Sequence, residues 1–250
     1  MSSSMWTRAQ RPSGQLRNIQ IPFGRPSSYE IVRMIKAVIF DLDSCLAAAD
    51  EVGSDLFAPA FRAIRSANRG EVAEDQLQAA FTDCWRFPFD FIAGKYGFSP
   101  EMRRAGFEAF SQVEVLQPMR GYGDLNALAE IPAMLFLVTS GFRRLQESKV
   151  RALKIAPLFA EIHVDAIDEA QPKGKLPAFE AILTKYRLSP AEVWVVGDNP
   201  DSEIAAGNQL GMTTIQILRP GVPASSAAAH RIKDLHELKT IGAAFSPAGP

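Results

Sequence analysis

The sequence has few of the features that mark membrane proteins, disulfide-stabilised domains or nucleic-acid-binding proteins. Its two cysteines, Cys45 and Cys84, are too few for a disulfide framework and lack metal-ligand spacing. The longest apolar runs, such as Ala133–Val138, fall far short of the about 18 residues that cross a bilayer. With 27 basic and 28 acidic residues, there is no broad basic field for a phosphate backbone. We therefore expect a soluble, cytoplasmic protein that acts on small molecules, without nucleic acid or a membrane as partner.

The first 33 residues differ in composition from the rest of the chain. They contain five arginines, six serines and three prolines, but Glu30 is their single acid and no apolar period runs through them. We expect residues 1–33 to be a disordered N-terminal extension. The alternative is an organellar transit peptide, which has a similar composition.

From Met34 onward, short apolar runs alternate with helical patterns. Runs that are β-branched or aromatic at consecutive positions predict strands buried on both faces of a parallel sheet. These runs are Ala37–Phe40, Met134–Val138, Val193–Val196 and Thr213–Ile217, with a shorter candidate at Ile162–Val164. Helical stretches run over Arg143–Leu153, Pro177–Tyr186 and Ser202–Leu210. This order predicts an α/β fold with a doubly wound, mostly parallel, Rossmann-like sheet.

The interval between the first two predicted strands is much longer than the about 30 residues of a whole βαβ unit. Apolar residues recur in it at helical spacing, and Ser99 followed by Pro100 is typical of a helix start. We expect residues 51–118 to be an inserted helical cap and residues 34–50 and 119–250 to form the α/β core. An insert at this point lies over the carboxyl ends of the strands, where open α/β sheets bind ligands.

Two aspartates, Asp41 and Asp43, directly follow the first strand. Residues at this spacing point the same way on leaving a strand, so both carboxylates would face the crevice. Two adjacent anions repel each other unless a cation neutralises them. The pair therefore predicts a divalent-metal site with a nucleophile and a proton-transfer partner. A polar turn that caps a helix is the alternative.

Gly197 and Asp198 end a later strand in the same way. Oxygen ligands suit Mg²⁺, which takes one or two carboxylates from a protein, and Asp41 and Asp198 could supply them. An ordinary turn through Asn199 and Pro200 is the alternative.

A third strand ends in Thr139, Ser140 and Gly141, just before a helical stretch. Hydroxyls and free N–H groups at a helix start can cradle a phosphate, although a plain N-cap has the same pattern. Lys173 and Lys175 precede the helix that leads to the Asp198 strand. One ammonium there would offset the charge of a nucleophile and a phosphate, whereas a solvated basic loop is the commoner role of such a pair.

In this order the motifs resemble those of the haloacid dehalogenase-like hydrolase superfamily, chiefly a phosphatase family, from Met34 to about residue 245. The matching segments are Asp41-Leu42-Asp43-Ser44-Cys45-Leu46, Thr139-Ser140-Gly141, Lys173, and Gly197-Asp198 with Glu203. Lys173 has the family's spacing to the later aspartate. Gly174 replaces a frequent proline, which leaves Lys175 open as the functional lysine. The helical insert is similar to the family's C1 cap.

The resemblance implies an Mg²⁺-dependent phosphatase that hydrolyses a small phosphate monoester through an aspartyl-phosphate. The implied roles are Asp41 as nucleophile, Asp43 as acid and base, and Thr139, Ser140, Gly141 and Lys173 as phosphate-binding residues. The implied metal ligands are Asp41, the backbone carbonyl of Asp43, and Asp198. Glu203 would not be a ligand itself but would orient metal-bound water.

The second aspartate also distinguishes among the activities of that family. Dehalogenases need no acid for a halide and typically lack the residue that Asp43 represents, so phosphate esters are favoured. A phosphomutase and a non-catalytic binding or regulatory protein remain alternatives, and the substrate and oligomeric state stay open. In the insert, the aromatic-rich segment Phe81–Phe98 carries Arg86 and Lys95. It predicts either a pocket wall with a cation for a charged substrate or the core of the cap itself.

Overall fold

The computed structural model describes residues 34–169 and 174–241. The predicted N-terminal extension and Lys173 lie outside the described residues. Six parallel strands form one sheet in the order β3-β2-β1-β4-β5-β6. The strands are β1 (Ala37–Phe40), β2 (Met134–Gly141), β3 (Glu161–Ala166), β4 (Val193–Gly197), β5 (Thr213–Ile217) and β6 (His230–Ile232). The doubly wound, parallel α/β fold is confirmed.

Eight α-helices accompany the sheet within the described residues. They are α1 (Ala58–Ala67), α2 (Glu74–Asp83), α3 (Phe89–Lys95), α4 (Pro100–Phe110), α5 (Arg143–Leu153), α6 (Lys175–Tyr186), α7 (Ala205–Leu210) and α8 (Leu238–Ile241). Shorter 3-10 segments cover Leu125–Glu130, Ala156–Leu158, Pro190–Glu192 and Leu235–Glu237. In the part of the chain that the structure describes, no helix is long and apolar enough to span a membrane.

The sheet is buried on both faces, which explains its consecutive apolar residues. In β1, Ala37 and Ile39 pack with Phe179 of α6 on one face. Val38 and Phe40 belong to the cluster on the other face. Alternation along each strand therefore sends successive side chains into two separate cores.

Two elements differ from the sequence prediction. The last strand, β6, was not predicted because it has three residues, of which His230 and Arg231 are exposed. The helix predicted from Ser202 begins instead with a π-helical turn over Pro200–Ile204, in which Ile204 N donates to Asn199 O. Pro200 has no N–H to donate, and this wider turn lets the side chain of Glu203 fold back toward the preceding strand.

Helices α1 to α4 all follow β1 and precede β2 in the sequence, and aromatic side chains fill the space among the four helices. Phe57 stacks on Trp85 with ring centroids 4.2 Å apart, and Phe61 stacks on Phe81 at 4.3 Å. The predicted helix start at Ser99 is confirmed, since its hydroxyl accepts from the Met102 amide. Most aromatics of this segment, which we call the helical insert (residues 58–110), are therefore core residues, and this core is continuous with the one on a face of the sheet.

Candidate active site

The carboxyl ends of three adjacent strands meet at one cavity. Strand β1 lies between β2 and β4, and Phe40 is in register with Leu137 and Val196. The residues that follow these positions therefore come together although they are far apart in sequence. They line a cavity of about 360 Å³, and residues of the helical insert line its opposite side.

An acidic cluster occupies the floor of this cavity. One carboxylate oxygen each from Asp41, Asp198 and Glu203 lies within 4.8 Å of the others. Asp41 and Glu203 are buried, and Asp198 is half-buried. Gly197 is required here, because a Cβ at this position would lie 2.2 Å from Glu203 Oε1. Clustered carboxylates are a donor set that suits Mg²⁺, so the residues present fit that ion.

Lys175 provides the positive charge in the cluster. It is the first residue of α6, its side chain is 4% exposed, and its Nζ lies 2.7 Å from Asp41 Oδ1 and 2.8 Å from Glu203 Oε2. Lys173, the residue favoured by family spacing, lies outside the described residues. Lys175, which the sequence left as the alternative to Lys173, is therefore the lysine that pairs with the acidic cluster.

Lys175 alone does not neutralise the negative charge of the three carboxylates in the acidic cluster. Burial, opposed by Lys175, raises the pKa of Asp41 to about 7, with Glu203 adding to the rise. Burial together with Asp41 and Glu203 raises the pKa of Asp198 to about 8. Burial alone would lower the pKa of Lys175, but Asp41 and Glu203 outweigh it and raise that pKa. A divalent cation would relieve the repulsion between the carboxylates.

The side chain of Asp43 lies apart from the acidic cluster, against α5. Its Oδ1 accepts from Lys149 Nζ at 2.7 Å, and its Oδ2 accepts from Gln146 Nε2 at 2.9 Å. Gln146 and Lys149 are site residues that were not predicted from the sequence. Their spacing of three residues on the helix that follows Thr139-Ser140-Gly141 puts both on one face of that helix, and this spacing is the sequence signal that could have found them.

The end of β2 forms another side of the cavity. Thr139 is buried, Ser140 donates to Asp165 Oδ2 at 3.1 Å, and Gly141 has a φ of +151°. All three residues of this motif line the cavity, next to Asp41 and Lys175. The Ser140 hydroxyl is thus engaged with the neighbouring strand. The hydroxyl of Thr139 and the backbone amides are the groups of this motif that could meet a ligand.

A buried arginine supports the loop that follows Asp41. Arg219 donates to Cys45 O at 2.9 and 3.0 Å and pairs with the buried Asp124 at 2.9 Å. The Cys45 thiol donates to Val196 O, and burial raises its pKa, which makes it unreactive. Sequence reasoning missed Arg219, because its partners come from distant segments and no local pattern connects them.

The helical insert contributes an aromatic wall with one cation. Trp85, Arg86 and Phe87 line the cavity. Lys95 does not line it, because its ammonium binds Asp83 at 2.6 Å. Among the described residues, the guanidinium of Arg86 makes no hydrogen bond or ion pair, although its backbone N–H donates to Asp83 O at 2.9 Å. Of the two cations that the sequence offered for this wall, the structure therefore places Arg86 at the cavity.

The chain matches known proteins over most of its length. Residues 35–211 match the model of the haloacid dehalogenase-like hydrolase family. A curated relative from Methanopyrus kandleri, named glyceraldehyde 3-phosphate phosphatase, is 28% identical over 201 residues, covering 74% of this chain and 85% of the relative. A relative of the same name from Methanocaldococcus jannaschii is 28% identical over 200 residues, covering 74% and 86%.

The fold is also found in solved structures. A structure from Haemophilus somnus, described as a predicted phosphoglycolate phosphatase, has a TM-score of 0.59 and 17% identity. The match covers 84% of this chain and 98% of that one. At this level of identity the similarity shows a common fold.

Proposed function

The chain belongs to the haloacid dehalogenase-like hydrolase family, and from this premise we propose that it is an Mg²⁺-dependent phosphatase of a small phosphate monoester. The observation that carries the proposal is the separation of two aspartates in one cavity. Asp41 lies in the acidic cluster with Lys175, whereas Asp43 is held by a different set of groups on α5. Two carboxylates in different environments can take different roles, one as nucleophile and the other as acid and base.

Asp41 attacks phosphorus through a carboxylate oxygen, and the bond between phosphorus and the ester oxygen breaks. Asp43 transfers its proton to the leaving ester oxygen, which departs as an alcohol. In the second half, Asp43 takes a proton from water as the water oxygen bonds to phosphorus. The bond from Asp41 to phosphorus then breaks, which releases phosphate and restores both aspartates.

The acidic cluster supports the assignment of the metal. Asp41, Asp198 and the backbone carbonyl of Asp43 would hold Mg²⁺, and Glu203 would support them through Lys175 and the Asn199 amide. When bound, the ion offsets the negative charge of the phosphoryl group. Lys175 and the Thr139 hydroxyl, with the amides after it, bind the phosphoryl oxygens. Such preorganised donors can each be worth several kcal/mol in a water-excluded site.

The relatives' name suggests the first substrate to assay. Release of inorganic phosphate from glyceraldehyde 3-phosphate and p-nitrophenyl phosphate is measured with Mg²⁺ and after chelation. We expect turnover that requires the metal and is lost in Asp41→Asn. No hydrolysis of either ester, or of a wider panel of sugar and nucleotide phosphates, with any divalent ion would instead indicate a non-catalytic binding protein. Isomerisation of glucose 1-phosphate without phosphate release would indicate a phosphomutase.

The functional lysine is tested by a matched pair of variants. Lys175→Met is expected to lose phosphatase activity, and Lys173→Met is expected to keep it. The reason is the direct contact of Lys175 with Asp41. The opposite outcome would assign the role to Lys173, as the family spacing suggests.

A further inference from the structure

Helix α5 carries two polar side chains, Gln146 and Lys149, that both bind Asp43. Lys149 Nζ donates to one carboxylate oxygen of Asp43 at 2.7 Å, and Gln146 Nε2 donates to the other at 2.9 Å. Each oxygen therefore has a fixed donor, and the plane of the carboxylate is defined. Asp43 itself remains 26% exposed at its side chain, toward the cavity.

Lys149 is difficult to explain as a stabilising residue. Its side chain is 4% exposed, and within the described residues its ammonium pairs with Asp43 alone. Buried ion pairs seldom add stability over apolar side chains of similar volume, because desolvation offsets the attraction. A buried lysine that contacts one cavity carboxylate is better explained by a function at that carboxylate.

Gln146 is held as firmly as the lysine. Its Nε2 also donates to Ser140 O at 2.9 Å, so both of its acceptors require the nitrogen at this position. Its Oε1 is buried without a hydrogen-bond partner among the described residues. A Cβ on Gly141 would lie 2.5 Å from Nε2, which shows that the end of β2 leaves room for this side chain. An amide kept in place with one unsatisfied atom indicates that its position matters.

We propose that Lys149 and Gln146 are positioning residues that hold Asp43 for proton transfer to the leaving oxygen. The inference rests on the proposed phosphatase function and adds residues to it. When Asp43 gives its proton to the ester oxygen, negative charge develops on its carboxylate beside the ammonium of Lys149. Fixed donors aimed at a charge that develops in the reaction lower the barrier of that step. Neither side chain needs to contact the substrate for this effect.

The test compares two esters that differ in their need for a proton. The alkoxide of glyceraldehyde 3-phosphate leaves poorly without protonation, whereas p-nitrophenolate leaves readily. Lys149→Met is expected to lower kcat for glyceraldehyde 3-phosphate by about 100-fold or more, the usual range for loss of general acid catalysis. For p-nitrophenyl phosphate the loss should stay below about tenfold, and KM should change little for both. Lys149→Arg should recover much of the lost rate.

The neighbouring Ser148 provides the matched control. It is buried on the same helix and accepts from the Val115 amide at 2.8 Å, without lining the cavity. Ser148→Ala should therefore affect the two esters equally, even if α5 loosens. In an Asp43→Asn background, Lys149→Met should add little further loss, because the residue acts through Asp43.

Several outcomes would overturn the inference. An equal loss of kcat on both esters would mean a merely structural role, and a raised KM with unchanged kcat would mean that Lys149 binds substrate. If Lys149→Met does not fold, Gln146→Met is measured on the same two esters with the same expectation. A wild-type enzyme that hydrolyses neither ester, nor any phosphate of the wider panel, would overturn the proposed function and this inference together. An active wild type with undifferentiated losses would overturn the inference alone.

Discussion

The two sides of the cavity have opposite chemistry. On the strand side, Asp41, Lys175 and Glu203 are buried, and Lys175 pairs with both carboxylates. On the insert side, the aromatic rings of Trp85 and Phe87 line the cavity together with Arg86, whose side chain has no ion pair among the described residues. Preorganised charges suit a reaction that is the same for every substrate, whereas an apolar wall with a cation suits selection among leaving groups. Variants on the strand side should therefore change turnover, and variants on the insert side should change affinity.

The largest effect is expected on the strand side, at Asp41. Asp41→Asn keeps the shape of the side chain but removes the proposed nucleophile, so kcat should fall on the order of 10⁴-fold or more. The measurement is phosphate release at saturating substrate. Asp83→Asn is the control from the insert, since that carboxylate binds Lys95 and Tyr96 away from the cavity floor. Comparable losses in both variants would remove the distinction between the two sides.

The next largest effect is expected on stability, when Lys175 on the strand side and Lys95 on the insert side are each replaced. Lys175→Met leaves the carboxylates of Asp41 and Glu203 buried without their cation, which should cost about 3–5 kcal/mol of unfolding free energy. Lys95→Met breaks an exposed ion pair and should change stability little. Urea unfolding of both variants without added metal checks this. Equal midpoints would show that the buried cation is not required for the fold.

The third effect is a pH dependence confined to the acidic cluster. The pKa values of Asp41 and Asp198, about 7 and about 8, lie above the about 3.9 of an unfolded aspartate. Between about pH 4 and 8 the folded protein therefore binds more protons than the unfolded chain, and metal-free stability falls as pH rises. Under the proposed metal assignment, protons and Mg²⁺ compete for the same carboxylate oxygens. Mg²⁺ should therefore raise Tm more at about pH 8 than at about pH 5.

Asp198→Asn provides the control for this pH effect. It removes one of the proposed metal-binding carboxylates, so the Mg²⁺-induced rise in Tm should shrink at the higher pH. A rise that is the same at both pH values in the unaltered protein would argue against a metal at these residues.

The smallest effect is expected on the insert side. Arg86→Gln should raise KM about two- to fivefold for phosphate esters with a second anionic group and leave kcat unchanged. The expected change is small because an ion pair between an exposed arginine and such a substrate is weak. Steady-state kinetics with p-nitrophenyl phosphate, which has no such group, gives the reference. Lys95→Gln should leave both KM values unchanged because Lys95 does not line the cavity. A fall in kcat for Arg86→Gln would place that residue with the catalytic groups.

The regular elements were predictable where burial imposes a simple pattern. The bounds of β1, β5 and α5 are those predicted from apolar runs and helical spacing. β6 was missed because two of its three residues are exposed, and a single buried Ile232 gives no pattern. The π-helical turn at Pro200–Ile204 was also missed, since a side chain folding back on the backbone decides it.

The sequence by itself determined which residues end the central strands, because parallel strands buried on both faces require apolar runs and their ends lie at one edge. Asp41 and Asp198 were therefore predictable as neighbours. The contacts of Asp43 with Lys149, 106 residues later, were decided only by the tertiary structure. The presence of Lys175 in the acidic cluster was decided in the same way. Spacing along a chain constrains elements, but the position of a long side chain depends on the charges that packing brings around it.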